Sequence, residues 1–120
     1  FWDWGIPTVI STILTRNKFK GMIIGSGGVR NGLDIAKLIA LGADVGGMAI
    51  PFLFVTQNHS TDVIVEFIEE IAYQIRLTCF LTGASNLEEL RKVPILIIGK
   101  TAEILRNYGL DPSIYLKRHK

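Results

Sequence analysis

One stretch of the chain combines residue types able to hold a phosphate: Gly25-Ser26-Gly27-Gly28-Val29-Arg30-Asn31-Gly32. Consecutive glycines let backbone N–H groups turn toward one point with no Cβ in the way. A helix start after them adds partial positive charge, and an arginine can grip phosphate oxygens through two parallel hydrogen bonds. The same residues also suit a plain strand-to-helix turn, in which glycine serves geometry and Arg30 is a solvated surface charge. Arg30 has no acidic neighbour within four positions on its N-terminal side.

A second small-residue stretch, Gly46-Gly47-Met48-Ala49-Ile50, follows at the end of what reads as the next strand. In a parallel sheet that end lies beside the first loop, and (β/α)8 enzymes frequently build a phosphate site from the loops after their last two strands. Paired glycine-rich ends therefore favour the phosphate reading. The remaining chemistry-bearing residues are set aside. His59 lies in a polar loop, Gln57 to Ser60, and His119 lies in the tail, so they do not form a metal pair. Cys79 falls within an apolar helix and reads as core. Glu69 and Glu70 are adjacent, so on a helix they point about 100° apart and cannot share one substrate as acid and base.

The elements that must position these loops follow from periodicity. Pro7 suits the first turn of a helix whose apolar residues Val9, Ile10, Ile13 and Leu14 recur at helical spacing, ending near Arg16 before a polar turn. Met22 to Ile24 reads as a buried strand entering the glycine loop, and a helix follows from Gly32 to Leu41, stopped by Gly42. Asp44 to Ile50 is the second strand, so a helix joins two strands in a right-handed parallel crossover. The longest helix is expected over Asp62 to Thr82, with Ile64, Phe67, Ile68, Ile71, Ile75 and Thr78 on one face and Gly83 ending it. Ser85-Asn86-Leu87-Glu88 reads as a capping box for a short helix through Lys92. Ile95 to Ile98 is expected as a third strand, before a last helix from Thr101 to Tyr108 closed by Gly109.

Composition limits the function classes. With 48% hydrophobic and 20% charged residues, the chain is a folded globular protein, and the order of its strands and helices makes it α/β. Thirteen basic against eleven acidic residues leave +2, with Lys117, Arg118 and Lys120 in the tail, so no basic stripe for nucleic acid or an anionic membrane is present. One cysteine cannot build a disulfide framework, which makes a reducing, cytoplasmic compartment the expectation. Asp44 interrupts the apolar run from Leu38 to Val55 at a cost of roughly 2.5–3.5 kcal/mol in a spanning helix, so no membrane span is read. No signal peptide is read at the N-terminus, and the opening without methionine reads as cut from something longer. A (β/α)8 barrel takes about 250 residues. Three strands make about a third of one and cannot close it, so these residues are not expected to act as an independent enzyme.

Four segments carry a family resemblance. Phe1-Trp2-Asp3-Trp4-Gly5-Ile6-Pro7-Thr8, then Ile24 through Lys37, then Leu41-Gly42-Ala43-Asp44, then Gly47 through Leu53 closely resemble the C-terminal third of type 2 isopentenyl-diphosphate isomerase. The glycine loop and the Leu-Gly-Ala-Asp step also look like other FMN-dependent barrels, such as α-hydroxy-acid oxidases and dehydrogenases. The Asp-Trp-Gly-Ile-Pro-Thr stretch discriminates better.

The resemblance implies the C-terminal part of one FMN-binding (β/α)8 TIM-barrel domain across residues 1–120, with 83–120 as an extension packed on it. It implies an isomerase that interconverts isopentenyl and dimethylallyl diphosphate, using FMN, Mg2+ held by the substrate diphosphate, and NADPH as flavin reductant. It also implies a small-molecule diphosphate substrate and a homo-oligomer, tetramer or octamer. By position, Gly27, Gly28, Val29 and Arg30 match the family's first FMN-phosphate loop, and Ala49 with Ile50 the second. Trp2, Asp3 and Trp4 would form a wall beside the flavin or plug the barrel top. The family's flavin-ring contacts, diphosphate clamp and metal-binding glutamate come from earlier strands, so no catalytic residue or metal ligand is named. A non-catalytic α/β module, its glycines purely structural, stays open as the alternative from another class.

Overall fold

The computed structural model describes residues 4–58 and 60–118. Helix α1 (Thr8–Lys18) leads to strand β1 (Ile24–Ser26), helix α2 (Gly32–Ala40) and strand β2 (Val45–Gly47). Helices α3 (Ile50–Asn58), α4 (Thr61–Thr82), α5 (Leu87–Leu90), α6 (Gly99–Asn107) and α7 (Ser113–Leu116) complete the described chain. The strands pair in parallel, Ile24 with Val45, Gly25 with Gly46 and Ser26 with Gly47, around the crossover through α2. The fold is thus mixed α/β with a small parallel sheet.

Alternation along the strands explains how α2 lies on that sheet. Gly25 and Gly46 face the helix: a Cβ at Gly46 would stand 2.6 Å from Ile35 Cγ2, and one at Gly25 would meet Leu38 and Ala43 at 3.2 Å. Ile24 (65% exposed) and Val45 (43%) sit on the opposite face, uncovered among the described residues. Two cores hold the helices. The first gathers Ile35, Ala36, Leu38 and Ile39 of α2 with Ile71 of α4 and Leu90 of α5, and the second joins Ile10 and Ile13 of α1 to Leu41, Leu105 and Tyr115.

Asp44 fastens the near end of the sheet. Its carboxylate accepts from the Ile23 N–H at 2.8 Å and pairs with Arg16, while Arg91 Nη2 lies 2.8 Å from Oδ1. The Ile23 N–H and the two guanidiniums hold this carboxyl below its ordinary range. Far along the chain, Arg118 Nη1 donates to the carbonyls of Ala40 and Arg91, tying the C-terminal residues to α2.

Several expectations need correction. The first strand begins at Ile24, not Met22, because the Ile23 N–H is committed to the Asp44 side chain and Met22 is 73% exposed. Helix α1 runs two residues past Arg16, where Arg16 and Lys18 suit the negative end of the helix dipole. The second strand stops at Gly47. Ile50 instead opens α3, with Pro51 in the first turn where a missing N–H costs nothing, so Gln57 and Asn58 are helical rather than loop. Ile95 to Ile98 is no strand: the Ile95 N–H donates to the Tyr115 carbonyl at 2.9 Å, and the segment has no ladder partner among the described residues. The capping box is shifted by one: Asn86 Oδ1 accepts from the Glu89 N–H, and Glu89 Oε2 accepts from the Ser85 N–H. On α4, Ile68 is 49% exposed rather than core. Cys79 does pack against the first core. Trp2, Asp3, His59 and His119 lie outside the described residues. No helix among the described residues is long and apolar enough to cross a membrane.

Candidate functional site

The parallel register brings the two glycine-bearing strand ends together. Ser26 and Gly47 are ladder partners, so Gly27-Gly28 and Met48-Ala49 leave the same edge of the sheet side by side, the first pair into the loop before α2 and the second into α3. Gly27 and Gly28 both take positive φ, +107° and +70°, conformations that rarely suit a side chain. A Cβ at Gly28 would meet nothing within 4 Å, so the space over this turn is open. Val29 is buried in the first core and anchors the loop, leaving its backbone as its contribution.

Three helices hold the loop. From α1, the Thr8 hydroxyl donates to the Gly27 carbonyl at 2.7 Å. Within α2, Asn31 Oδ1 caps the Asp34 N–H at 2.9 Å. From α4, Gln74 Oε1 accepts from the Gly32 N–H at 2.7 Å, across 42 residues of sequence. The expected helix-start donors are thus largely spoken for: Gly32 by Gln74 and Asp34 by Asn31. What remains for an anion is the loop backbone, the dipole itself and Arg30.

Arg30 is less isolated than its N-terminal neighbours suggest. Asp34, four residues ahead, accepts from the Arg30 N–H at 3.2 Å and from Nε at 3.3 Å. That contact uses one edge of the guanidinium, and the Arg30 side chain is 78% exposed, with its terminal amino groups uncommitted among the described residues. A cleft of about 130 Å³ lies here, bounded by Thr8, Gly27, Gly28, Arg30, Asp34 and Lys37. Arg30 and Lys37 outnumber Asp34, so the cleft is net cationic. Ala49 and Ile50 are exposed at the start of α3, outside this cleft. Thr8, Asp34, Lys37 and Gln74 were not legible as site residues. Only the Arg30–Asp34 spacing, one helical turn, carried a usable signal.

Residues 7–96, most of the chain, match the family model of the FMN-dependent dehydrogenases. The chain belongs to that family. As a member of the FMN-dependent dehydrogenases it is also similar to proteins named isopentenyl-diphosphate delta-isomerase. It is 41% identical over 115 residues to the one from Methanothrix thermoacetophila, covering 96% of this chain and 32% of that protein. It is 44% identical over 119 residues to that of Metallosphaera sedula, and 42% identical over 117 residues to that of Thermococcus onnurineus, covering 31% of each. The chain spans about a third of the length of the curated relatives it matches. Among the described residues no three His, Cys, Asp or Glu side chains are grouped to hold a metal ion.

The family name implies FMN, whose ribityl chain ends in a phosphate. The residues present fit that end of the cofactor: two glycines with positive φ, open space where a Cβ would stand, and a net-cationic cleft at a strand end.

Proposed function

We propose that this chain supplies the FMN-phosphate end of an isomerase that interconverts isopentenyl diphosphate and dimethylallyl diphosphate. The observation that carries the reading is identity of about 40% along nearly the whole chain to proteins named for that reaction, with the glycine cradle intact. In this reading the backbone N–H groups of Gly27, Gly28 and Val29 and the guanidinium of Arg30 hold the phosphate oxygens. Ala49 and Ile50, at the start of the neighbouring helix, close the second side. FMN, reduced by NADPH, supplies proton-transfer chemistry to the substrate without net oxidation, and Mg2+ is held by the substrate diphosphate. This chain's own part is to bind and orient the cofactor.

The two strands belong, in this reading, to a (β/α)8 barrel in a cytoplasmic homo-oligomer, tetramer or octamer, with 83–120 as an extension packed on the barrel. The uncovered sheet face at Ile24 and Val45 supports it, because parallel sheets are almost always covered on both faces. The test is to purify the full gene product, record its visible spectrum, and follow dimethylallyl diphosphate formation with Mg2+ and NADPH. A flavin spectrum with isomerisation is expected. A colourless protein, or a flavoprotein inert toward isopentenyl diphosphate but active on a 2-hydroxy acid, overturns the reading.

A further inference from the structure

The contact between α4 and the start of α2 is unusually close. A Cβ at Gly32 would stand 2.4 Å from the Ile71 carbonyl oxygen and 2.7 Å from Gln74 Cβ. At that junction the Gln74 amide faces two ways: Oε1 accepts from the Gly32 N–H, and Nε2 donates to Glu70 Oε1, both at 2.7 Å. The donor at Gly32 fixes the amide's orientation, since only the carbonyl oxygen can meet an N–H. Gln74 therefore caps the first N–H of α2 with a neutral group, five residues after the first cradle glycine, while its Nε2 holds the carboxylate of Glu70, one helical turn earlier on α4.

We propose that Gln74 is a positioning residue for the phosphate cradle. It holds the start of α2, and with it the loop of residues 27–31, in the anion-binding conformation without bringing negative charge to the anion. The inference rests on the reading of that loop as the FMN-phosphate site. A carboxylate at position 74 would accept the same N–H but would oppose the helix dipole's attraction for the incoming phosphate.

The deciding variant is the exchange Glu70→Gln with Gln74→Glu in the full gene product. It conserves composition, net charge and the hydrogen-bonded chain, and it moves one negative charge a helical turn toward the cradle. The measurements are FMN and riboflavin dissociation constants by flavin-fluorescence titration, at low and high salt, and the thermal midpoint of the apoprotein. The expected result is an FMN dissociation constant raised about two- to fivefold at low salt, the size of a charge effect at a helix terminus. The rise should shrink at high salt, with riboflavin affinity unchanged and the thermal midpoint not lowered, since a carboxylate at a helix start stabilises the apoprotein if anything. Equal changes for FMN and riboflavin, or no change for either, overturn the role of Gln74. Wild-type protein that binds riboflavin as tightly as FMN overturns the underlying phosphate site instead. Should the exchange variant fold poorly, Gln74→Met serves: it removes the cap without adding charge, so FMN affinity must fall more than riboflavin affinity for the proposal to stand.

Discussion

Gly28→Ala separates the stability of the cradle from its function. Gly28 has φ of +70°, and a Cβ there would meet nothing within 4 Å, so the folded state pays only for conformation. A left-handed residue with a side chain costs roughly 1–2 kcal/mol, and the stiffer unfolded chain returns about 0.4–1, leaving a net loss of roughly 0–1.6. The methyl group, however, stands in the open space over the turn. If it displaces one charge-assisted hydrogen bond to phosphate, the loss is about 1.5–3 kcal/mol, or about ten- to 150-fold in affinity. Gly27→Ala provides the contrast: its Cβ would lie 2.8 Å from Thr8 Oγ1, the group that donates to the Gly27 carbonyl. Losing that bond adds about 0.5–1.5 kcal/mol of instability to the strain at φ +107°. Urea unfolding of the apoprotein and FMN titration of the full gene product read the two quantities. Gly28→Ala with wild-type FMN affinity would show that phosphate does not occupy this space. Gly28→Ala less stable than Gly27→Ala would refute the packing argument.

Arg30→Ala should weaken FMN binding by about 1.5–3 kcal/mol, the range for a hydrogen bond to a charged group, with little effect on unfolding; unchanged affinity in fluorescence titration removes Arg30 from the site. Ala49→Leu, at an exposed position before α3, should leave the protein folded but flavin-poor, so copurification with a full complement of flavin would put the second half of the cradle elsewhere. Gly46→Ala should destabilise by about 1–3 kcal/mol through its clash with Ile35, and the loss should shrink in an Ile35→Ala background; additive losses in denaturant unfolding count against the contact. Because the Ile23 N–H and the Arg16 and Arg91 guanidiniums hold the Asp44 carboxyl below its unfolded value, its contribution is complete above that value and is lost as pH falls through the folded one. Asp44→Asn should therefore be less stable at neutral pH and flatten the acid limb of the stability curve below about pH 4, and parallel acid limbs for the two proteins sink the assignment.

The parts of the fold legible in the sequence are those specified within a few residues. Helix α2 is announced by its glycine loop and the stop at Gly42, and α4 by its apolar spacing and Gly83, which takes φ +67° as a left-handed stop. Where a local signal admits two meanings, context decides. A proline such as Pro51 can end a helix or open one, and here it stands in the first turn of α3. Ser85 and Asn86 are both competent caps, each with a glutamate three residues ahead, and the structure uses the second pair. Ile95 to Ile98 is an apolar run of strand length, and its burial alternates, with Leu96 and Ile98 exposed and Ile95 and Ile97 packed inward, but neither property supplies a partner for a ladder.

The same division runs through the site. Positive φ at Gly27 and Gly28 is a property of two residues, so the cradle could be read from sequence. The commitment of the α2 donors could not, because it depends on an α4 side chain 42 positions away. That commitment alters the chemistry inferred. With the N–H groups of Gly32 and Asp34 already engaged, the start of α2 offers an anion its dipole rather than those two hydrogen bonds, so in the proposed reading the direct contacts fall to the loop backbone and Arg30. Asp34 then has two opposing effects: it fixes the Arg30 backbone and Nε, and it places a carboxylate beside the cleft. The cleft stays cationic only because both Arg30 and Lys37 border it, so a second acidic residue near the start of α2 would cancel its charge. At the Gly32 N–H itself α4 presents the neutral Gln74 amide, and the Glu70 carboxylate meets that amide instead of the α2 backbone.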